Sequence, residues 1–471
     1  MIHIMIGAEL EKRTYGVETE YSCLMVFPGS RSHEYVGSCH SDDVSLGLYA
    51  QPESAGAHEI DFEAFSDGLR QQGIVANSQG MLSNGGRFYI DPSGLEYCTP
   101  EATTAGEATL RMFDGDRIVH GIFRYLCDKG MLKSFQLNRK IVDHNRSSRG
   151  IHINTSTELS DRQPSNDHIQ ILAALNVAKG ALFGSGGLLL DENGNTQYHH
   201  SPRLSLTTGL TGNSLNYNLR PLVRTPFKPD HEGAKIETVT SDALNFAWPM
   251  RASLVITSAV VGLIELGYGE DLPKLDPVDA VESAQSVGRD GYQAGMKVTY
   301  NGIKLVQKPH FVLRNIADLC LRRDIESGYL DEESRPVLEE IIITAEAIDR
   351  APFDVVGQVE SVARLEAITR KLGSGSLDSE RACRLDYAWD LIGSGTAEEL
   401  RSRGKFGWKG FGERVLLPSV VKKRLITPPQ DTRSKIRAQV IVESGGLDDS
   451  TWSQLDVDGR TFNVAPNQTK I

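Results

Sequence analysis

Side chains that exchange between apolar and polar at every step mark the strands of this chain, and a period near 3.6 marks its helices. Alternation over 13–27 ends in the turn-forming Pro28-Gly29-Ser30 and places Glu18 and Glu20 on one face of a predicted strand. A second alternation follows Gly85-Gly86, with Arg87, Tyr89 and Asp91 on one face and Phe88 and Ile90 on the other. Pro92-Ser93-Gly94 then turns the chain, and Glu96, Tyr97 and Thr99 follow at once, so a second carboxylate returns close to the first. Further strands are predicted over 134–138 and 150–155, the latter with His152 and Asn154 on a common face.

Helical periodicity is clearest over 106–129, where Leu110, Met112, Phe113, Ile118, Ile122, Phe123 and Leu126 form a broad apolar face and Gly130 is the stop. Helices are also predicted over 60–73, 168–183 and 251–266, and then over 309–323, 331–350, 357–371, 378–392 and 396–403, so the later third is mostly helical. Thr427-Pro428-Pro429 breaks the chain before a helix bearing Lys435 and Arg437. The alternating Leu455, Val457, Phe462 and Val464 close it as a small strand pair. Periodicity leaves 197–240 undetermined. The stretch 30–82, rich in Gly, Ser, His and acids, reads as an insertion between two site strands: a lid or substrate loop, or a disordered segment.

Composition changes this picture in three ways. A chain of 471 residues can bury a large core. The expected division is a catalytic domain over 1–410, carrying the insertion 30–82, and a small C-terminal domain over 411–471. Hydrophobic and charged fractions of 39% and 24% are ordinary for a soluble protein. No apolar run is expected to span a bilayer, and the first residues lack a signal-peptide pattern, so no membrane association and a cytoplasmic location are expected. Six scattered cysteines without metal spacing read as reduced, mostly structural thiols. A net charge of -12 argues against nucleic acid as a partner. The segment 401–437, with eleven Lys or Arg against Glu413 and Asp431, reads equally well as a solvated surface or as a receptor for an acidic partner.

Two acidic strands admit two readings: a solvated edge, or carboxylates bridged by a cation beside an Arg that holds phosphate oxygens. Four motifs bear on the choice. They are Gly16-Val17-Glu18-Thr19-Glu20-Tyr21; Asn84-Gly85-Gly86-Arg87-Phe88-Tyr89-Ile90-Asp91 running on to Glu96-Tyr97-Cys98-Thr99-Pro100-Glu101; Gly150-Ile151-His152-Ile153-Asn154; and Pro428-Pro429-Gln430-Asp431-Thr432-Arg433. Together they resemble the family of Pup ligase and Pup deamidase/depupylase, thinly but over nearly the whole chain. The resemblance implies an α+β fold, a glutamine-synthetase-like curved antiparallel sheet packed with helices plus a small C-terminal domain. It implies ATP, or ADP plus phosphate, and Mg2+ as cofactors, with Pup and pupylated proteins as partners.

Carried over by position, the resemblance implies that Glu18 and Glu96 are magnesium ligands with Tyr89 nearby, that Arg87 and Thr99 contact the nucleotide with Trp452 against it, and that Asp91 is the catalytic carboxylate. Glu20, His152, Asn154, Arg224 and Arg433 are further candidates. Two positions depart from the pattern: Ile153 stands where the family has an acid, and Glu237 stands where it has a histidine. The step from Asp91 to Glu96 is five residues, the depupylase spacing, where the ligase has six; Thr99-Pro100-Glu101 and the Pro-Pro-x-Asp-Thr-Arg motif also resemble the depupylase. Gly-Val-Glu-Thr-Glu is nearer the ligase. The expected activity is that of a divergent depupylase; a ligase, an inactive Pup-binding paralogue and a small-molecule carboxylate-amine ligase are the alternatives.

Overall fold

The structure is a computed structural model that describes residues 13–28, 62–91, 94–139, 150–159, 164–191, 194–212, 220–230, 233–402, 406–457 and 460–463. Most of the insertion expected over 30–82, the turn at Pro92-Ser93 and Val464 lie outside the described residues, as do the side chains of Ile90, Asp91 and Val457.

Seven strands form the principal sheet: β1 (Tyr15–Val26), β2 (Arg87–Asp91), β3 (Gly94–Cys98), β4 (Ser134–Asn138), β5 (Ile151–Thr157), β6 (Lys228–Asp230) and β7 (Gly233–Ser241). Their order is β6-β7-β5-β1-β3-β2, with β4 joined to β1, and every pairing is antiparallel. The long β1 has two halves. Its first lies between β3 and β5; its second, Ser22 to Val26, pairs with β4.

The period-two pattern decides what each face does. Tyr15, Val17, Tyr21, Phe88, Leu95, Tyr97, Ile151, Ile153 and Ile236 are buried on the core face. There they meet the helices, among them Ala105–Asp128, Asn166–Phe183 and Ala247–Glu265. The opposite face keeps the charged and polar residues of the same strands. Aromatic packing under β2 is tight: the Phe65 ring lies 5.8 Å from Phe88 and 6.0 Å from Phe123, and burying each such ring contributes roughly 2–3 kcal/mol.

The helix Ala105–Asp128 starts where Thr104 accepts a hydrogen bond from the Glu107 amide, and it stops before Gly130, whose φ of +73° suits a residue without Cβ. Its Gly115 lies against the Tyr97 ring, where a Cβ would stand 2.3 Å from Cδ1. Close approach of helix to sheet therefore needs glycine at this point.

Two expectations are corrected. The helix Ala247–Glu265 is long and apolar enough to cross a membrane, with a mean hydropathy of 1.5, but 89% of that stretch is buried in the fold. Its apolarity serves the core. The basic segment 401–437 is only partly a solvated surface. Arg424 is ion-paired to Asp114, Arg433 and Arg437 are buried on Glu101, and Arg401 stands over the Phe113 ring at 4.5 Å; Lys409, Lys422 and Lys423 are exposed. The region 197–240, undetermined by periodicity, supplies β6, most of β7 and the short strand Pro221–Arg224. The closing pair is present as Gln454–Val457 and Arg460–Asn463.

Candidate nucleotide and metal site

Glu18 on β1 is paired with Cys98 on β3 and with His152 on β5, and Glu20 is paired with Glu96. On the outer strand Arg87 lies opposite Cys98 and Tyr89 opposite Glu96. On the other side Glu237 of β7 is paired with Asn154. Antiparallel register and the period of two thus bring residues from five strands onto one face.

Glu18 is the hub. Its Oε2 lies 3.2 Å from His152 Nδ1, its Oε1 accepts a hydrogen bond of 2.8 Å from Asn154 Nδ2, and Lys235 Nζ stands 3.7 Å from Oε1. His152 Nδ1 is also 3.2 Å from Glu237 Oε1, and Arg224 is ion-paired to that carboxylate. Glu20 Oε2 accepts a bond of 2.6 Å from the Gly150 amide. Cys98 Sγ lies 3.6 Å from Glu96 Oε1 and 4.0 Å from the Tyr89 hydroxyl.

The carboxylates differ sharply in protonation. Burial opposes the charge of Glu18, but His152 and Lys235 outweigh it and hold the group at about 2. Burial also opposes the charge of His152, yet its bonds to Glu18 and Glu237 raise it to about 10. For Glu96 the balance runs the other way: burial first, and the negative charge of Glu18 second, outweigh the attraction of His152 and push it up to about 8. Burial likewise raises the Tyr89 phenol and the Cys98 thiol, with Glu96 and Glu18 adding to the effect.

Acids this close on one buried face repel unless a proton or a cation intervenes. Their oxygen donors suit a hard divalent cation. Donor atoms of Glu18, Glu96 and Cys98 all lie within 4.8 Å of one another, and so do those of Glu18, His152 and Glu237. Glu18 belongs to both sets.

A cleft of about 220 Å3 opens beside this face. Gly16, Glu18, Thr99, Asn154, Lys235, Arg433 and Trp452 are among the residues that line it. Thr99 is fixed by exchange with β1: its amide donates to the Val17 carbonyl at 2.9 Å, and its hydroxyl accepts from the Val17 amide at 3.0 Å. A threonine hydroxyl, two cations and an indole around one cleft can accommodate phosphates at one end and an aromatic base at the other.

Of the residues singled out from sequence, Glu18, Thr99, Asn154, Arg433 and Trp452 meet at the cleft, while Glu20, Tyr89, Glu96, His152 and Arg224 lie on the adjoining face. Arg87 is not among the cleft-lining residues. It donates from Nε to the Gln79 carbonyl at 3.0 Å and stands 4.2 Å over the Tyr89 ring. Asp91 ends β2 opposite Gly94; its side chain lies outside the described residues.

The two departures have a spatial explanation. Ile153 points into the core and is 0% exposed, so its strand position does not face the site. Glu237 does face it and brings a carboxylate to His152 from the neighbouring strand. Cys98, Lys235 and Glu237 were not selected from sequence as site residues. Counting two residues along β3 from Glu96 would have found Cys98; the other two sit on a strand whose register periodicity does not disclose.

A sequence model described as "Pup-ligase protein" matches residues 13–455. The chain is 23% identical over 394 residues to the Pup deamidase/depupylase of Mycobacterium tuberculosis (strain CDC 1551 / Oshkosh), covering 80% of this chain and 75% of that protein. It is 23% identical over 397 residues to the depupylase of Acidothermus cellulolyticus, covering 81% and 76%. The fold resembles that of the ligase PafA in its complex with the prokaryotic ubiquitin-like protein Pup, with a TM-score of 0.76 and 18% identity over 98% of this chain and 90% of that one. It also resembles PafA in complex with ADP, with a TM-score of 0.68 and 17% identity over 90% and 94%. The expected α+β class is borne out by these likenesses.

Proposed function

This chain belongs to the Pup-ligase family, and from that premise we propose that it is a nucleotide- and Mg2+-dependent depupylase, an isopeptidase that frees Pup from lysines of protein substrates. Deamidation of Pup is the same reaction with ammonia as the leaving group. The observation that carries the reading is continuity: the face bearing Glu18 and Glu96 opens onto the cleft lined by Thr99, Arg433 and Trp452.

In this reading Glu18, Tyr89 and Glu96 hold Mg2+, which when bound supplies positive charge for phosphate oxygens and for the oxyanion of amide attack. Trp452 stacks on the base, and Thr99, Lys235 and Arg433 bind phosphate oxygens. His152, Asn154 and Lys235 keep Glu18 ionised and oriented. Asp91, at the end of the strand beside Glu96, is the base or nucleophile that promotes attack on the amide carbonyl. Water supplies the new carbon–oxygen bond, directly or by hydrolysing a transient acyl bond to Asp91; the carbon–nitrogen bond breaks, a proton of that water ends on the leaving lysine amine, and Pup keeps the side-chain carboxylate. The five-residue step from Asp91 to Glu96 and the depupylases among its relatives support cleavage over ligation.

Incubation with ATP, Mg2+ and a pupylated test protein is expected to release free protein and Pup without one ADP formed per event. Asp91→Asn should abolish cleavage and retain nucleotide binding; an active Asp91→Asn enzyme would sink the assignment. A second reading, ligation in the same site, is favoured by the Gly16-Val17-Glu18-Thr19-Glu20 motif and by the likeness to PafA. ADP produced in step with new conjugate would decide for it.

A further inference from the structure

Glu101 lies two residues beyond Thr99, and its buried carboxylate gathers the segment that follows Pro428-Pro429. Its Oε1 accepts a hydrogen bond of 2.8 Å from Arg433 Nε, and its Oε2 accepts bonds of 2.6 Å from Arg437 Nη2 and 2.5 Å from the Ser434 hydroxyl. Its backbone is held as well: the Thr432 hydroxyl donates to the Glu101 carbonyl at 3.0 Å, and the Glu101 amide donates to Ser434 Oγ at 3.1 Å.

Arg437 carries the contact onward. Its Nη1 donates to the Trp452 carbonyl at 2.8 Å, its guanidinium stands 4.6 Å over the Trp452 ring, and its Nη2 also reaches the Gly85 carbonyl at 2.6 Å. Gly85 has a φ of +88°, and a Cβ there would lie 2.8 Å from that of Ser434, so the Gly85-Gly86 turn is shaped to receive this helix. Arg437 is 0% exposed. Burial opposes the charge of Glu101, but Arg437 and Arg433 hold it well below the usual carboxylate range.

Glu101 itself lines the cleft, as do Arg433, Trp452 and Ser453 from this segment, and two of those three depend on it. One oxygen binds Arg433, and the other binds the guanidinium that holds Trp452 by backbone and by ring. We propose that Glu101 is a positioning residue for the nucleotide subsite, setting through Arg437 where the Trp452 indole stands and directly where Arg433 points. The inference rests on the reading of the cleft as a nucleotide site.

The test uses the full chain, with ADP and Mg2+ as the probe and the ADP dissociation constant from calorimetric titration as the readout, which stays available when Trp452 is replaced. Glu101→Gln is expected to weaken ADP binding on the order of tenfold, as loss of one well-placed aromatic stack does. Its cleavage rate at saturating nucleotide should stay within about twofold of wild type, because binding rather than chemistry is affected. Glu101→Asp should recover part of the affinity. In a double-mutant cycle with Trp452→Ala, the combined loss should be smaller than the sum of the two.

Wild-type ADP affinity in Glu101→Gln, or strict additivity with Trp452→Ala, overturns the proposal. If Glu101→Gln does not fold, Arg437→Lys, which keeps a cation beside Glu101 but loses the fork, carries the same expectation and the same refutation. Failure of the wild-type protein to bind ADP at all would instead remove the underlying reading of the cleft.

Discussion

Lys179 is buried in the helix Asn166–Phe183, where its ammonium donates a hydrogen bond to the Thr257 hydroxyl at 3.2 Å. Burial pushes its ammonium down to about 7. An unfolded lysine titrates near 10.4, so between these values the unfolded chain binds more protons and stability rises with pH. The cost of the buried charge is fully present below pH 7 and fades toward pH 10. Lys179→Met should therefore stabilise the protein by on the order of 3 kcal/mol at pH 7. That advantage should shrink toward zero near pH 10, as followed by denaturant unfolding at several pH values; a pH-independent difference would refute this.

At this scale the sequence was most readable where period two acts alone. Strand alternation groups Glu18 with Glu20 and Tyr89 with Arg87 and Asp91, and the family resemblance then singles out Glu18, Tyr89 and Glu96. Glu101 passed as the tail of a motif, because an ion pair between residues 336 apart leaves no local trace.

At the scale of elements, the helix Ala105–Asp128 and the strand β3 meet through Gly115 and Tyr97. Gly115→Ala should gain up to about 1 kcal/mol of helix propensity. Overpacking costs about 1–3 kcal/mol, and a contact of 2.3 Å with a ring that is itself fully buried lies at the costly end. The variant should lose about 1–2 kcal/mol of stability net. Because Tyr97 lies between Glu96 and Cys98, it should also bind Mg2+ more weakly than wild type in a calorimetric titration. Unchanged affinity would show that β3 absorbs the strain elsewhere.

Helices such as Ala105–Asp128 and Ala247–Glu265 were legible because their apolar faces are continuous. The strands β6 and β7 were not. β6 is three residues long, too short for alternation to register, and β7 has a bulge between Thr238 and Ser241 that interrupts it. Glu237 therefore stands out in the sequence only as a departure from the family's histidine, and not as an acid facing His152.

For the whole molecule, the segment after 410 is bonded to the rest of the fold at several buried points. Arg111 donates to the carbonyls of Arg424 and Thr427, Arg424 pairs with Asp114, and Glu101 holds Arg433 and Arg437. A fragment ending at Gly410 would leave buried Arg111, Asp114 and Glu101 without these partners, a loss of several kcal/mol, since a single broken buried pair costs about 3–5. It should be poorly soluble, or unfold at much lower temperature than the full chain, and should bind no ADP. A fragment as stable as the full chain would contradict this.

The Glu101 latch also bears on the order in which the protein comes into being. Synthesis proceeds from the first residue, so Glu18, Glu96, His152 and Glu237 can be assembled on the sheet long before Arg437 and Trp452 have been made. Until they arrive, on the proposed reading, the nascent chain has its acidic metal-binding face but no place for an adenine ring, and Glu101 is an acid without its arginines. Closure of that long loop has to await the synthesis of Arg433, Arg437 and Trp452, and it costs chain entropy when it comes. Since it also completes the nucleotide cleft, nucleotide present at that moment stabilises the finished chain alone and leaves its precursors unaided.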